Sequence, residues 1–181
     1  MDDPCVIEAL RAGKHEAFEQ LVDLHGERLF RSAVLLCGSE QVAEDLVQES
    51  FLRAFRAAAK FRGQSAVFTW LYGILLNVNR KRSRNVFRLI FTDEPPEREA
   101  EAPAGHAPSA DADTVAVLVS GALRQLSVKH REVIVLHYYE NMPVEDIARQ
   151  MRVGSGTVKS RLHYARERLR TLLPEELNLF A

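Results

Sequence analysis

The chain has 181 residues, 24 of them Lys or Arg and 25 Asp or Glu, for a formal net charge of −1; that length holds one ordinary domain or two small ones. Its two cysteines, Cys5 and Cys37, have no CxxC or Cys/His spacing and offer no disulfide framework, so they read as reduced, structural or incidental thiols. Asp2 and Asp3 stand where a signal peptide would be basic, and no apolar run is long enough to cross a bilayer, so a cytoplasmic protein is expected.

Strand signals are weak throughout and helical periodicity recurs, which predicts an all-α chain. In the first block the pattern predicts helices over residues 6–12, 15–36, 40–60 and 65–84. Breaks fall at Gly13, at Gly38-Ser39 and at Arg62-Gly63-Gln64. Over 40–60, Leu46, Phe51 and Phe55 can supply core contacts, while Asp45, Gln48 and Glu49 form a compact polar and acidic patch. Such a patch suits a basic partner surface, and it equally suits an ordinary solvated helix face. Over 65–84, Val67, Leu71, Ile74 and Val78 share one face, with Trp70 and Leu75 at its edges. Thr69, Tyr72, Leu76 and Arg80 fall opposite, so that an exposed aromatic beside an Arg/Lys run would offer a platform for unstacked bases. Phe61 and Phe68 read equally well as buried residues. From Arg53 to Arg88 every charged residue is basic, so the near-neutral total conceals a basic surface.

Residues 86–91 are apolar and can dock on either neighbour. Residues 92–113 are rich in Pro, Ala and acid and poor in large apolar side chains, the composition of a flexible acidic linker. The second block predicts helices over 115–125, 129–140, 143–151 and 155–173, with Pro143 tolerated near the start of the third.

The most informative stretch is 144–169. Ile147, Ala148 and Met151 mark one short helix, and Val158, Leu162, Ala165 and Leu169 mark the next. Between them is a tight turn in which Gly154 is expected to close the first helix and Ser155 to cap the second. This is the pattern of a helix-turn-helix. If the second helix buries those four residues, Lys159, Ser160, His163 and Tyr164 point outward, with Arg161 and Arg166 on the flanks. That face suits a major groove, with polar groups for base edges and arginines for phosphates. A plain helical hairpin with a solvated basic face is the bland alternative. A second basic zone, 149–170, is interrupted only by Glu167 and coincides with this stretch.

Three segments together resemble the extracytoplasmic-function sigma factors of bacterial RNA polymerase. Residues 43–55 (AEDLVQESFLRAF) resemble the helix of the family's second conserved region that grips the polymerase. Residues 61–82 (FRGQSAVFTWLYGILLNVNRKR) resemble the adjoining part, which melts and reads the minus 10 element. Residues 126–136 (LSVKHREVIVL), running into the helix-turn-helix, resemble the fourth conserved region, which reads the minus 35 element.

The resemblance implies two small helical domains, 1–91 and 114–181, joined by the linker 92–113. It implies contact between Asp45, Gln48, Glu49 and Phe51 and the clamp helices of the largest subunit of core RNA polymerase. It assigns minus 10 contacts to Lys60, Phe61, Arg62, Ser65, Phe68, Trp70, Tyr72, Asn77 and Arg80, with the base-capturing pocket around the 62–65 loop and Asn77. Minus 35 contacts fall to Thr157, Lys159, Ser160, Arg161, His163, Tyr164 and Arg166. Promoter DNA and an anti-sigma factor are the other implied partners.

No phosphate-binding Gly loop, nucleophile motif or metal-ligand spacing is present in the sequence, so no enzyme activity, cofactor or metal is expected. His15, His25, His106, His130 and His137 read as solvent or core residues. The turn Val153-Gly-Ser155 departs from the proline or acidic residue frequent in the family, and His163-Tyr164 is particular to this chain, so promoter preference does not transfer. A stand-alone dimeric regulator would instead require a palindromic operator. A nuclease would require a catalytic constellation.

Overall fold

The computed structural model describes residues 3–12, 14–90 and 113–174, and every regular element among them is helical. The expected break at Gly13, the residue Phe91 and the linker up to residue 112 lie outside the described residues. The chain divides into two compact units, residues up to 34 with 40–82 in the first, and 35–39 with residues from 83 onward in the second.

The first unit is built on α1 (Asp3–Arg11), α2 (His15–Cys37) up to residue 34, α3 (Glu40–Ala57) and α4 (Val67–Ile90) up to residue 82. A single 3-10 turn, Ala58–Lys60, ends α3 and packs against α1. Gly63 takes φ +71° in the loop that follows, a left-handed conformation that glycine adopts without the steric cost of a Cβ. Leu21 and Leu29 of α2, Ala43, Leu46 and Ala54 of α3, and Leu71 and Leu75 of α4 are all buried. Phe18 of α2 meets Phe51 and Phe55 of α3 edge to face, with centroids 6.2 and 5.4 Å apart, a geometry in which the positive ring edge faces the negative ring face.

Helix α4 corrects the expected division of its faces. Tyr72 is fully buried and Leu76 is 1 % exposed, although both are expected opposite the apolar stripe of Leu71 and Val78. Val67, Phe68, Leu75 and Asn79 are buried as well, so the dry side is broader than that stripe, and the wet side runs through Trp70, Gly73, Ile74, Asn77 and Lys81. The helix also runs on to Ile90, taking in most of the apolar 86–91 segment.

The second unit consists of α5 (Asp113–Arg124), α6 (Val128–Ile134) with a π-helical continuation (Val135–Tyr139), α7 (Val144–Met151) and α8 (Ser155–Leu172). Helix α8 packs on α5, α6 and α7. Its Val158, Leu162, Ala165 and Leu169 join Val133, Leu136, Ile147 and Met151 in the core. Buried Arg131 donates to the carbonyls of Arg124 (2.8 Å) and Leu126 (3.0 Å), satisfying groups that the end of α5 leaves without helical partners. Burial pushes the guanidinium pKa down.

The turn between α7 and α8 uses different residues from those expected. Arg152, at φ 56° and ψ 46°, takes the left-handed position, and Gly154 is extended at φ −70°. Val153 N–H donates to the Ala148 carbonyl (3.0 Å) and Arg152 N–H to that of Arg149 (3.3 Å), a Schellman closure. Gly154 occupies the cap position of α8 and Ser155 is the first helical residue, with no side-chain cap bond. Glycine therefore comes too late in the turn to relieve the strain, which falls on an arginine. Arg152→Gly is expected to stabilise the second unit by about 0.5–1 kcal/mol, seen as a rise of roughly 2–8 °C in its unfolding midpoint. A fall in the midpoint would contradict the left-handed assignment.

Candidate functional site

Three surfaces emerge. The first is on α3. Asp45 and Gln48 are exposed and Glu49 is half-buried, in line with an outward patch. Asp45 is held 3.7 Å from Arg82 of α4, with their side chains 66 % and 43 % exposed, and Glu49 accepts from Arg53 at 2.6 Å one turn on. Phe51 does not belong to this surface. It is 4 % exposed and points into the core against Phe18, because it falls on the side of α3 marked by buried Ala43 and Ala54. Phe55, 43 % exposed, is the more accessible of the two rings. The pairing of Asp45 with Arg82 carried no sequence signal, since it joins two helices far apart along the chain.

The second surface surrounds the loop before α4. Lys60, Arg62, Ser65 and Asn77 are exposed, Arg80 is half-exposed, and the loop carries Gly63 between them. Phe61 stacks on Trp70, centroids 4.7 Å apart and planes inclined by 29°, both rings half-buried. This stack fastens the loop to the first turn of α4 and leaves each ring part-accessible. Phe68 is buried instead, with Arg28 3.8 Å above its ring and His25 and Tyr72 rings beside it. Phe68 and Tyr72 are therefore buried and not part of this surface, where the accessible aromatic pair is Phe61 and Trp70.

The third surface is the outer face of α8. Thr157, Lys159, Ser160, His163 and Tyr164 are exposed and Arg161 and Arg166 half-buried on the flanks, as the helical spacing predicts. The Ser160 hydroxyl donates to the Thr157 carbonyl at 3.0 Å, which leaves its lone pairs to accept from a partner. Tyr164, 52 % exposed, stacks on His130 of α6 at 4.6 Å and 31°. Sequence reasoning missed His130, for a stack between two separate helices leaves no periodic trace.

Among the described residues, no group of three or more His, Cys, Asp and Glu side chains is placed to hold a metal ion, and no helix is long and apolar enough to cross a membrane.

Comparison with known proteins gives these surfaces a context. Residues 21–86 match the family described as Sigma-70 region 2, and residues 117–169 match Sigma-70, region 4. The chain is 31 % identical to the RNA polymerase sigma-H factor of Pseudomonas aeruginosa over 177 residues, covering 91 % of this chain and 90 % of the relative. It is 36 % identical to the ECF RNA polymerase sigma factor SigL of Mycobacterium tuberculosis over 160 residues, covering 86 % and 88 %. Among solved structures, CnrH in complex with the cytosolic domain of CnrY superposes with a TM-score of 0.66 at 27 % identity, covering 94 % of this chain and 96 % of that one. The sigma factor RpoE from Bartonella quintana, solved with the anti-sigma factor NepR, gives 0.63 at 31 % identity, covering 86 % and 95 %. The chain belongs to the sigma-70 family, among its extracytoplasmic-function sigma factors.

Proposed function

We propose that the chain binds core RNA polymerase through Asp45, Gln48 and Glu49 and directs it to promoters by a two-point grip on DNA. The first unit captures and melts the minus 10 element with the Lys60–Ser65 loop, the Phe61–Trp70 stack, Asn77 and Arg80. The second unit reads the minus 35 duplex with α8, whose Lys159, Ser160, His163 and Tyr164 face base edges while Arg161 and Arg166 sit on phosphates. The observation that carries this reading is the exposure pattern of α8, with four apolar residues buried and every proposed base-facing side chain turned to solvent. The chemistry of polymerisation belongs to polymerase, and this chain contributes binding and selection in the cytoplasm.

Domain boundaries near 91 and 114 fit this division. From minus 10 to minus 35, about 25 base pairs correspond to roughly 85 Å of duplex. Residues 92–113, 22 in number, reach up to about 75 Å when extended, so with the radii of two small units the segment is long enough. An anti-sigma factor that covers the polymerase-binding surfaces is the fitting regulator, by analogy with the Bartonella quintana pair.

Footprinting tests the scheme. With core polymerase the chain should protect both elements of its promoter, and alone it should protect neither at the same concentration. Tight, palindromic protection by the free chain would instead mark a dimeric regulator. Arg161→Ala and Arg166→Ala should each weaken binding across all sequences and lower the salt slope by about one. Substituting Lys159, Ser160 or His163 should change minus 35 preference by about 1–3 kcal/mol for each base-edge hydrogen bond removed. Unchanged selection after all three substitutions would overturn the orientation of α8.

A further inference from the structure

We infer that His130 is a positioning residue for minus 35 recognition, holding Tyr164 of α8 in place for the duplex through a Ser127–His130–Tyr164 brace. This rests on the reading of α8 as the duplex-facing helix.

Ser127 is the cap residue of α6, with φ −58° and ψ 153°, and its carbonyl accepts from the N–H groups of His130 and Arg131 at 3.0 and 2.9 Å. A serine at that position ordinarily turns its hydroxyl onto a free amide of the first turn, a bond that stabilises the helix. Here the hydroxyl makes no such bond; Ser127 Oγ lies 2.9 Å from His130 Nδ1. The local capping interaction is given up and the imidazole is fixed instead.

The fixed imidazole then packs against the Tyr164 ring, centroids 4.6 Å apart and planes inclined by 31°. Tyr164 is 52 % exposed, and no apolar neighbour of its own helix is placed to hold it, since Ser160, Arg161, Glu167 and Arg168 are the residues three and four positions away. Without the brace, an exposed ring on a single-bond stem would sample several rotamers and lose that freedom on binding. With it, the ring is already ordered beside Ser160 and His163 on the same exposed face. Stacking supplies affinity by preorganisation, and it ties the recognition helix to the start of α6 through side chains as well as through the core.

The test uses holoenzyme reconstituted with core polymerase and a set of promoters varied one base pair at a time through the minus 35 element. His130→Ala should reduce discrimination at the base pairs that Tyr164→Ala also relaxes, by roughly three- to tenfold, with affinity for a probe carrying only the minus 10 element unchanged. His130→Phe, which restores an aromatic face but loses the bond to Ser127, should recover part of the discrimination and not all of it. In a Tyr164→Ala background, His130→Ala should add nothing. Thermal unfolding of each variant separates lost order from lost recognition.

Additive effects of His130→Ala and Tyr164→Ala, a His130→Phe variant as defective as His130→Ala, or no effect of either alanine variant would overturn the brace. Lys159 and Ser160 substitutions in the same assay tell the two levels apart. If they leave minus 35 preference intact, the placement of α8 on the duplex fails; if they shift it while His130→Ala does not, only the brace fails.

Discussion

Asp45→Lys should lower association with core polymerase by about two orders of magnitude while leaving the unfolding free energy within about 1 kcal/mol of the parent. The first half follows from charge. In the proposed complex, a carboxylate that is 66 % exposed in the free chain would be desolvated against a basic surface; the substitution removes it and adds a repulsive charge in its place. The second half follows from the same exposure, because the ion pair of Asp45 with Arg82, at 3.7 Å, is a solvent-screened surface interaction. Glu49→Lys should behave similarly, with the added cost of setting a lysine beside Arg53, whose guanidinium lies 2.6 Å from the native carboxylate. Co-elution with core polymerase and a denaturant titration measure the two halves. Retained assembly would remove α3 from the polymerase interface, and a collapse in stability would make the patch structural.

Phe51→Ala should reverse that signature. The ring is 4 % exposed and packs edge to face on Phe18, so its removal leaves a cavity where the surrounding helices cannot fully close. Truncations of this kind cost about 3–5 kcal/mol, which for a unit of this size corresponds to a fall of roughly 15–30 °C in midpoint. Polymerase binding then declines in proportion to the unfolded fraction and returns on cooling or in stabilising osmolyte. Phe51→Leu, which keeps most of the volume, should cost far less and bind normally. A Phe51→Ala chain that melts like the parent but fails to bind polymerase would return Phe51 to the polymerase-facing surface that the family resemblance implies.

These two variants separate what one motif blends together. In the stretch Asp45-Leu-Val-Gln-Glu-Ser-Phe51 the residues of the patch and those of the core alternate at helical spacing, so a functional assay alone scores them alike. Their burial divides them.

Much of the architecture is legible before any coordinates. The all-α class, the helix over 40–60 and the inward set Val158, Leu162, Ala165 and Leu169 follow from periodicity, because each of these helices has one wet side and one dry side. The outward face of α8 follows at once from the same geometry. On α4 the dry side is wider than the recognised stripe and is turned away from Ile74: Tyr72 and Leu76 are buried beside Leu71 and Val78, and the wet side is narrowed to the line of Trp70, Gly73, Ile74, Asn77 and Lys81.

Turn chemistry failed for a different reason. Glycine is the residue best suited to a left-handed position, but the lengths of α7 and α8 and the packing between them decide which residue must occupy it. That residue is Arg152, and Gly154 is left extended. Similarly, Ser127 precedes α6 as a capping serine should, yet its hydroxyl serves His130.

By itself, then, the sequence determined the class of the protein, the order of its helices, the two basic zones and the face that α8 presents, because these depend on spacing within one element or on charge counted along the chain. Only the tertiary structure decided that Phe51, Phe68 and Tyr72 are core, that Phe61 rests on Trp70, that Asp45 meets Arg82 and that His130 supports Tyr164. Each of these depends on how separate segments enclose and cross one another, and no period of 3.6 residues encodes it.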